Sequence, residues 1–92
     1  MIELTSLRNI GTEMERKLKS VGIETAEDLR EVGSKVAFSK LFVRYPNICL
    51  VHLYTLEGAI SDTDYNELPE EVKRKLKEFC DWVGENVWVT RR

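Results

Sequence analysis

The sequence predicts an all-α fold, a compact bundle of about five short helices. Apolar residues recur at helical spacing along most of the 92 residues. Glycines separate these apolar stretches, and three of them stand 11 residues apart, at Gly11, Gly22 and Gly33, which favours short helices joined by tight corners. One segment, residues 48–60, would permit a strand by propensity, but 13 residues is long for a strand, so we expect a helix there too.

Length and composition limit the class of protein to which the chain can belong. The chain has 14 Lys and Arg against 16 Asp and Glu, a net charge of −2, with 42 % hydrophobic and 33 % charged residues. These proportions predict one soluble domain over residues 1–92. No apolar run approaches the ~20 residues that span a bilayer, and the start, Met1–Leu4, lacks the features of a signal peptide. We therefore expect a cytoplasmic protein with no membrane role and no broadly basic surface for coating nucleic acid.

The first clear helix is expected to start at Thr12, after a short helical turn over Thr5–Asn9. Thr12 and Glu15 have the spacing of a capping box, in which hydroxyl and carboxylate each bond a backbone amide at the helix start. The apolar residues that follow on one helical face are Met14, Leu18 and Val21. Gly22 is expected to end this helix in a left-handed conformation.

Two further helices are expected between Thr25 and Pro46. Thr25 is the expected cap of the first one, with Asp28 three residues on, and Gly33 is its expected end. Ser34 is the expected cap of the next helix. That helix has to end before Pro46, because proline disfavours a helical conformation in the residue ahead of it.

The least polar stretch, residues 48–60, predicts a central, buried helix. Gly58 in this helix would let a neighbouring backbone approach closely. Glu57 interrupts the apolar run, and a carboxylate in such a place needs a partner. We expect Glu57 to bond a neighbouring helix start or an arginine, with contact to a ligand as the alternative.

The last helix is expected to have Pro69 at its first position, after a polar loop from Ser61 to Asn66, and to end at Gly84. Acidic residues follow the proline, where the helix dipole favours them. The apolar tail Asn86–Val89 is expected to fold back onto the body of the domain.

Two cysteines and one histidine are the only candidates for metal or nucleophilic chemistry. Cys49 and Cys80 have apolar sequence neighbours and predict reduced, buried thiols. Cys49 and His52 have the spacing C-x-x-H with Cys80 as a third potential ligand, but structural zinc takes four. A Cys–His nucleophile would lack an orienting group and an oxyanion hole. We expect no metal, no cofactor and no enzymatic activity, and we expect His52 to be a partly buried helix residue bonded to a backbone group.

An internal repeat at an offset of 22 residues is the most informative feature. Leu7–Thr12 recurs as Leu29–Ser34, and each copy reads Leu-Arg-x-aliphatic-Gly-hydroxyl ahead of an amphipathic helix. The pattern resembles the helix-hairpin-helix motif, in which two short helices meet at a glycine corner whose backbone amides hold a phosphate. That resemblance implies contact with a phosphate backbone without sequence specificity.

The match to this motif is partial. In place of its first glycine, one copy has Asn9, which tolerates a left-handed backbone, and the other has Glu31, whose carboxylate weighs against DNA binding. The alternative is that Gly11 and Gly33 only end and start helices in a protein scaffold. The residues expected to contact phosphate are Asn9, Ile10, Gly11, Thr12, Lys17, Gly33 and Ser34.

Several segments then occur together in a distinctive order. They are Leu7–Gly11, Val21–Ile23, Thr25–Leu29, Val32–Gly33 with Ala37, Leu53–Ala59 and Tyr65–Pro69. With them, residues 4 to 80 resemble the C-terminal domain of the TfoX/Sxy family, the regulators of natural competence in bacteria. The residues expected to carry the structural motif are Gly22, Glu57, Gly58, Tyr65 and Pro69.

The resemblance implies a compact helical domain linked to DNA uptake or its transcriptional control, without catalytic residues. The family often joins this domain to an N-terminal α/β domain. A chain of 92 residues leaves no room for that second domain, so we expect a stand-alone version of the C-terminal domain. The leading hypothesis is therefore a non-enzymatic module that contacts the DNA backbone in regulation of competence or transcription. The alternative is a protein–protein interaction or homo-oligomerisation domain, such as a homodimer, with no nucleic-acid role.

Overall fold

The structure, a computed structural model, describes residues 2–45 and 47–86, which form four α-helices and two short 3₁₀ turns. In chain order these are η1 (Leu4–Ser6), α1 (Thr12–Ser20), α2 (Ala26–Arg44), α3 (Leu50–Ser61), η2 (Tyr65–Glu67) and α4 (Glu70–Asn86). Within these two ranges there is no strand, and no helix has the length and apolar character to cross a membrane. The all-α prediction is confirmed, and the expected count of five helices is wrong.

A kink inside α2 explains the difference in helix count. The two helices expected between Thr25 and Pro46 are consecutive halves of α2, and the break between them is Gly33, at φ 85° and ψ 162°. Glycine reaches this conformation without the steric penalty that a Cβ imposes. The chain therefore changes direction at a single residue, with no loop between the two halves.

Helix α1 starts at Thr12 and ends ahead of Gly22, as predicted, but the cap at its start differs from the prediction. Gly11 is the N-cap, and its carbonyl accepts from the Glu15 amide at 3.0 Å. The expected capping box is wrong, because Thr12 is already the first helical residue. At the other end Gly22 has φ 89°, and the Ile23 amide donates at 3.0 Å to the carbonyl five residues earlier, which is the Schellman arrangement.

The start of α2 is capped as the sequence predicts. Thr25 Oγ1 accepts from the Asp28 amide at 3.1 Å, and Asp28 Oδ2 accepts from the Thr25 amide at 3.3 Å. This capping box satisfies backbone donors that have no partner within the helix. Asp28 also lies where the helix dipole favours a carboxylate.

The central helix of the molecule is α3, as its apolar sequence predicts. It packs against α2, α4 and η2, and its residues Leu53 and Leu56 are fully buried. Phe38 and Leu41 supply fully buried side chains from α2. Burial of each such side chain stabilises the fold by about 1.5–3 kcal/mol. The first turn of α3 lies at the edge of the core, with Val51 half exposed.

Both ends of α4 lie further along the chain than predicted. Pro69 precedes the helix instead of forming its first residue, and its carbonyl accepts the first helical hydrogen bond at 3.0 Å. The expected end at Gly84 is wrong, because the helix continues to Asn86, whose side-chain amide donates to the Trp82 carbonyl at 2.8 Å. The expectation for the apolar tail concerns residues 87–89, which lie outside the described residues.

One 3₁₀ turn overlaps an expected helical turn, and the other lies inside an expected loop. η1 starts at Leu4, one residue ahead of the helical turn expected over Thr5–Asn9. η2 starts at Tyr65, inside the polar loop expected from Ser61 to Asn66. Both turns pack onto helices, η1 onto α1 and α2, and η2 onto α3.

Candidate functional site

A left-handed Asn9 fixes the first glycine corner. Its φ is 72°, a conformation that asparagine adopts more readily than most residues. Its side-chain Nδ2 donates to the Thr63 carbonyl at 3.0 Å. On either side of it, Ile10 is buried and Arg8 Nε lies 3.4 Å from an Asp62 carboxylate oxygen. The corner is thus tied to the chain that leaves α3.

Gly58 is the point at which this corner comes closest to α3. A Cβ at Gly58 would collide with the Asn9 side-chain amide and with the Thr63 carbonyl. The Thr63 amide donates to the Gly58 carbonyl at 2.8 Å, so the chain folds back over the same residue. This is the close backbone approach that the sequence analysis expects of Gly58.

In the second corner the Ser34 hydroxyl is buried and faces α3. Ser34 is 5 % exposed, and its Oγ donates to Glu57 Oε1 at 2.6 Å. The kink at Gly33 places Ser34 at the start of the second half of α2, facing α3. Glu57 therefore bonds a residue at a helix start, which is one of the two partners expected for it, and a half-buried carboxylate gains the partner it requires.

Both corners consequently converge on one turn of α3. Asn9 contacts Gly58, and Ser34 bonds Glu57. The two copies of the repeat reach this turn with different backbones, because the left-handed residue is Asn9 in the first copy and Gly33 in the second. The sequence repeat is therefore not a conformational repeat.

A groove opens at the N-terminus of α1. Its lining residues are Asn9, Gly11, Glu13, Met14 and Lys17 from the first corner and α1, Val51, His52 and Thr55 from α3, and Tyr65 from η2. The first amides of a helix have no intrahelical acceptor, and Gly11 has no side chain to accept from them. The helix dipole adds partial positive charge at this end. The groove thus combines an uncapped helix start with the ammonium group of Lys17.

Glu13 offsets part of the positive charge in the groove. It forms a hydrogen-bonded ion pair with Arg16 and lies 4.0 Å from Lys17 Nζ. The hydrogen bond from Arg16 holds the pKa of the Glu13 carboxyl below its usual value, so Glu13 is ionised at neutral pH. An anion that enters the groove meets this carboxylate as well as Lys17.

His52 contributes a neutral ring to the groove. Its Nδ1 accepts from the Cys49 amide at 3.0 Å, which leaves the proton on Nε2. Burial, and after it the nearby charge of Lys17, lower the pKa of His52 below its usual value. His52 is therefore the partly buried, backbone-bonded residue that the sequence predicts.

The cysteines are more open than predicted. Cys49 is exposed because it is the N-cap of α3, outside the apolar face of that helix, and Cys80 is half-buried on α4. The expectation that both thiols are buried is wrong. In the described part of the chain, no group of three or more His, Cys, Asp or Glu side chains is arranged to hold a metal ion.

A second polar cluster lies where the end of α2 meets α1. Tyr45 Oη and Ser20 Oγ are 2.6 Å apart, and Arg44 Nε donates to the same hydroxyl at 3.4 Å. Lys17 Nζ and Arg44 Cζ lie 5.3 and 5.7 Å from the centroid of the Tyr45 ring. The hydrogen bonds with Ser20 and Arg44 lower the pKa of Tyr45, and the positive charges of Arg44 and Arg16 add to this effect. These five residues are termed the Tyr45 cluster.

Sequence reasoning missed the Tyr45 cluster because its parts are remote in the chain. Ser20 and Tyr45 are 25 residues apart, and neither occurs in the repeated corner. The only local signal is that Arg44 and Tyr45 follow each other at the end of a helix, ahead of Pro46.

The structure brings together some of the residues expected to contact phosphate and separates the others. Asn9, Gly11 and Lys17 line the groove. The remaining four lie elsewhere, with Ile10 in the core, Thr12 exposed on the first turn of α1, and Gly33 and Ser34 in a separate depression beside α3.

These observations define a small all-helical domain whose two glycine corners hold a central helix and whose first helix starts uncapped in a groove. The chain matches the model of the TfoX C-terminal domain over residues 1–80. It belongs to the TfoX C-terminal domain family.

Two solved structures are similar to the chain over most of its length. A crystal structure of an uncharacterized protein from Listeria monocytogenes, in a triclinic form, shares 38 % identity with a TM-score of 0.84, covering 87 % of this chain and 91 % of that one. A tetragonal crystal form of a protein of unknown function from the same organism shares 37 % identity with a TM-score of 0.84, covering 88 % and 99 %. No curated protein sequence matches the chain.

Proposed function

We propose that this domain is a non-enzymatic module that contacts the phosphate backbone of DNA in regulation of competence or transcription. The observation that supports it is the groove, where the uncapped start of α1 lies beside Lys17. Backbone amides at a helix N-terminus and an ammonium group both bind phosphate oxygens. Contacts of this kind read no base edges, so the binding is independent of sequence.

The first corner is better suited to this role than the second. In the second corner Ser34 is buried and already donates to Glu57, and the exposed Glu31 adds a carboxylate. In the first corner the Asn9 side chain bonds Thr63, and the first amides of α1 and the Lys17 ammonium are the groups that attract an anion into the groove. Asn9 then positions the corner.

The test measures binding of a labelled 20-base-pair duplex by fluorescence anisotropy from about 50 to 200 mM NaCl. Wild-type protein is expected to bind at the lowest salt and to weaken as salt rises, because phosphate contacts release counterions. Lys17→Gln should bind several-fold more weakly. The matched control is Lys19→Gln, on the same helix but outside the groove, which should bind like the wild type.

No binding at about 50 mM NaCl would overturn the proposal, since phosphate-driven affinity is strong at that salt concentration. Equal losses for the Lys17 and Lys19 variants would place any binding outside the groove.

A second candidate function, self-association or binding of another protein, is favoured by one exposed aromatic residue. Trp82 on α4 is 54 % exposed and stacks on Phe79 with ring centroids 6.1 Å apart. Exposed tryptophans often anchor protein interfaces. Sedimentation velocity over a hundredfold range of concentration tests it. A dimer that dissociates in Trp82→Ala supports self-association, and a monomer at every concentration contradicts it.

A further inference from the structure

The Tyr45 cluster gathers more positive charge than its surroundings neutralise. Arg16, Lys17 and Arg44 supply three cations, and Glu13 is the carboxylate that pairs with two of them. In the described residues, no carboxylate lies within 4.0 Å of the Arg44 guanidinium. One negative charge against three positive ones leaves a local surplus in a chain whose net charge is −2.

The cations converge from two different helices, so their grouping is a product of the tertiary fold. Lys17 and Arg16 lie on α1, and Arg44 is the last residue of α2. The Tyr45 hydroxyl joins the two elements through Ser20 at 2.6 Å and Arg44 at 3.4 Å. Like charges held together on a partly exposed surface repel each other, and an anion bound between them offsets this repulsion.

We infer that the Tyr45 cluster is a second phosphate-binding site, which takes a phosphate of the same DNA strand that the groove contacts. The inference rests on the proposed function. Guanidinium groups present paired donors that match phosphate oxygens, and the Lys17 ammonium adds a mobile donor. The Tyr45 ring packs beneath Lys17 and Arg44 and holds their charged ends in place.

The spacing of the two sites fits one strand of nucleic acid. The groove lies at Gly11 and the cluster at Ser20, the two ends of α1, which at 1.5 Å per residue are about 13 Å apart. Successive nucleotides of one strand rise 3.4 Å along the duplex axis, so sites aligned with that axis at this distance would contact phosphates about four nucleotides apart. Lys17 belongs to both sites and connects them along one face of the helix.

The experiment compares Arg44→Gln with Arg74→Gln in the full chain. Arg44 belongs only to the cluster, and Arg74 is an exposed arginine of α4 paired with Glu78, so the two variants lose the same charge at different places. Each is titrated with the labelled duplex at several salt concentrations. Circular dichroism melting verifies that both remain folded.

Arg44→Gln is expected to bind several-fold more weakly and to reduce the salt slope by about 0.9, one phosphate contact. Arg74→Gln should match the wild type in affinity and slope. If the wild type binds and the two variants behave alike, the cluster is not a phosphate site and the groove alone accounts for binding.

A titration with inorganic phosphate, followed by NMR of the arginine side chains, separates this inference from the proposed function. If the duplex does not bind but phosphate shifts the Arg16 and Arg44 signals, the proposed function and the assignment of the ligand to DNA both fail, and only the phosphate site stands. If neither ligand has an effect, both fail. Binding of polyglutamate as tight as that of the duplex at equal charge would instead assign the cluster to an acidic protein and overturn the DNA assignment.

Discussion

Gly58 lies where the first corner, the chain leaving α3 and α3 itself meet. A Cβ at this position would collide with the Asn9 side chain and with the Thr63 carbonyl, and a backbone carbonyl cannot turn aside as the end of a side chain can. At Gly84, by contrast, nothing lies within 4 Å of such a Cβ, and the residue is inside α4. The same substitution therefore has opposite consequences at these two glycines.

Gly58→Ala is expected to destabilise the domain by about 1–3 kcal/mol through overpacking. Gly84→Ala, the matched control, is expected to stabilise it by about 0.5–1 kcal/mol because alanine is the better helix former. Urea unfolding followed by circular dichroism measures both values. Equal effects would mean that the Asn9 side chain and Thr63 do not lie against Gly58.

His52 makes stability depend on pH in a predictable direction. Its pKa in the folded state lies below the unfolded value of about 6.5, so the folded state resists protonation. The unfolded state then binds more protons as pH falls below about 6.5, and stability is lost over that range. Above it, the stabilising effect of the neutral ring is fully present.

We expect the melting temperature to fall more between pH 7.5 and 5.5 for the wild type than for His52→Gln, in which this position cannot take up a proton. Glu13 and Glu27 also have lowered pKa values, but they are present in both proteins and cancel in the comparison. Identical decreases in the two proteins would show that His52 is not protonated differently in the folded and unfolded states.

Among the elements, α2 shows why a repeat in sequence need not be a repeat in structure. Gly11 and Gly33 occupy matching positions of the two copies, yet Gly11 has φ −96°, which any residue adopts, and Gly33 has φ 85° with ψ 162°. That second conformation is essentially restricted to glycine. Only Gly33 bends its helix, and only this bend turns Ser34 toward Glu57.

Gly33→Ala is accordingly expected to destabilise the domain by about 1–3 kcal/mol, the strain of a non-glycine residue in this region. Gly11→Ala should cost under about 1 kcal/mol, because alanine is only a poorer N-cap. Chemical unfolding of the two variants side by side decides between them. Comparable losses would indicate that both copies need glycine for the same reason.

The elements that the sequence predicts well are those with local causes. The capping box of Thr25 and Asp28 and the left-handed stop at Gly22 each depend on residues within one helical turn. Both are found where they are expected. The end of α4 differs from the prediction because Gly84 permits a helix stop but does not impose one, and the helix continues through it to Asn86.

The contacts that position the candidate site have non-local causes and could not be derived from spacing. The bond from Asn9 to Thr63 spans 54 residues, and the bond between Ser20 and Tyr45 spans 25. Sequence reasoning found that Asn9 could be left-handed and that Gly58 allows close approach. It could not show that the two meet, because this depends on how α3 packs.

At the scale of the whole molecule, we expect DNA binding to depend on where the charges lie more than on the net charge. Three cations of α4 pair with carboxylates four residues away on the same helix, namely Arg74 with Glu78, Lys75 with Glu71 and Lys77 with Asp81. Within the described residues, α4 and α1 are not in contact. The charged surface of α4 is thus self-neutralised and separate from the α1 surface that carries the proposed phosphate sites.

An Arg74→Gln, Lys77→Gln double variant tests this separation. Removing two positive charges takes the net charge from −2 to −4, which would weaken DNA binding strongly if total charge governed it. Since the Debye length is about 8 Å at 150 mM salt, charges on α4 are largely screened from a strand bound at α1. We expect duplex affinity at that salt within about two-fold of the wild type, with about 0.3–0.5 kcal/mol of stability lost per broken pair. A salt slope as strongly reduced as that of a Lys17 variant would instead show that DNA also lies across α4.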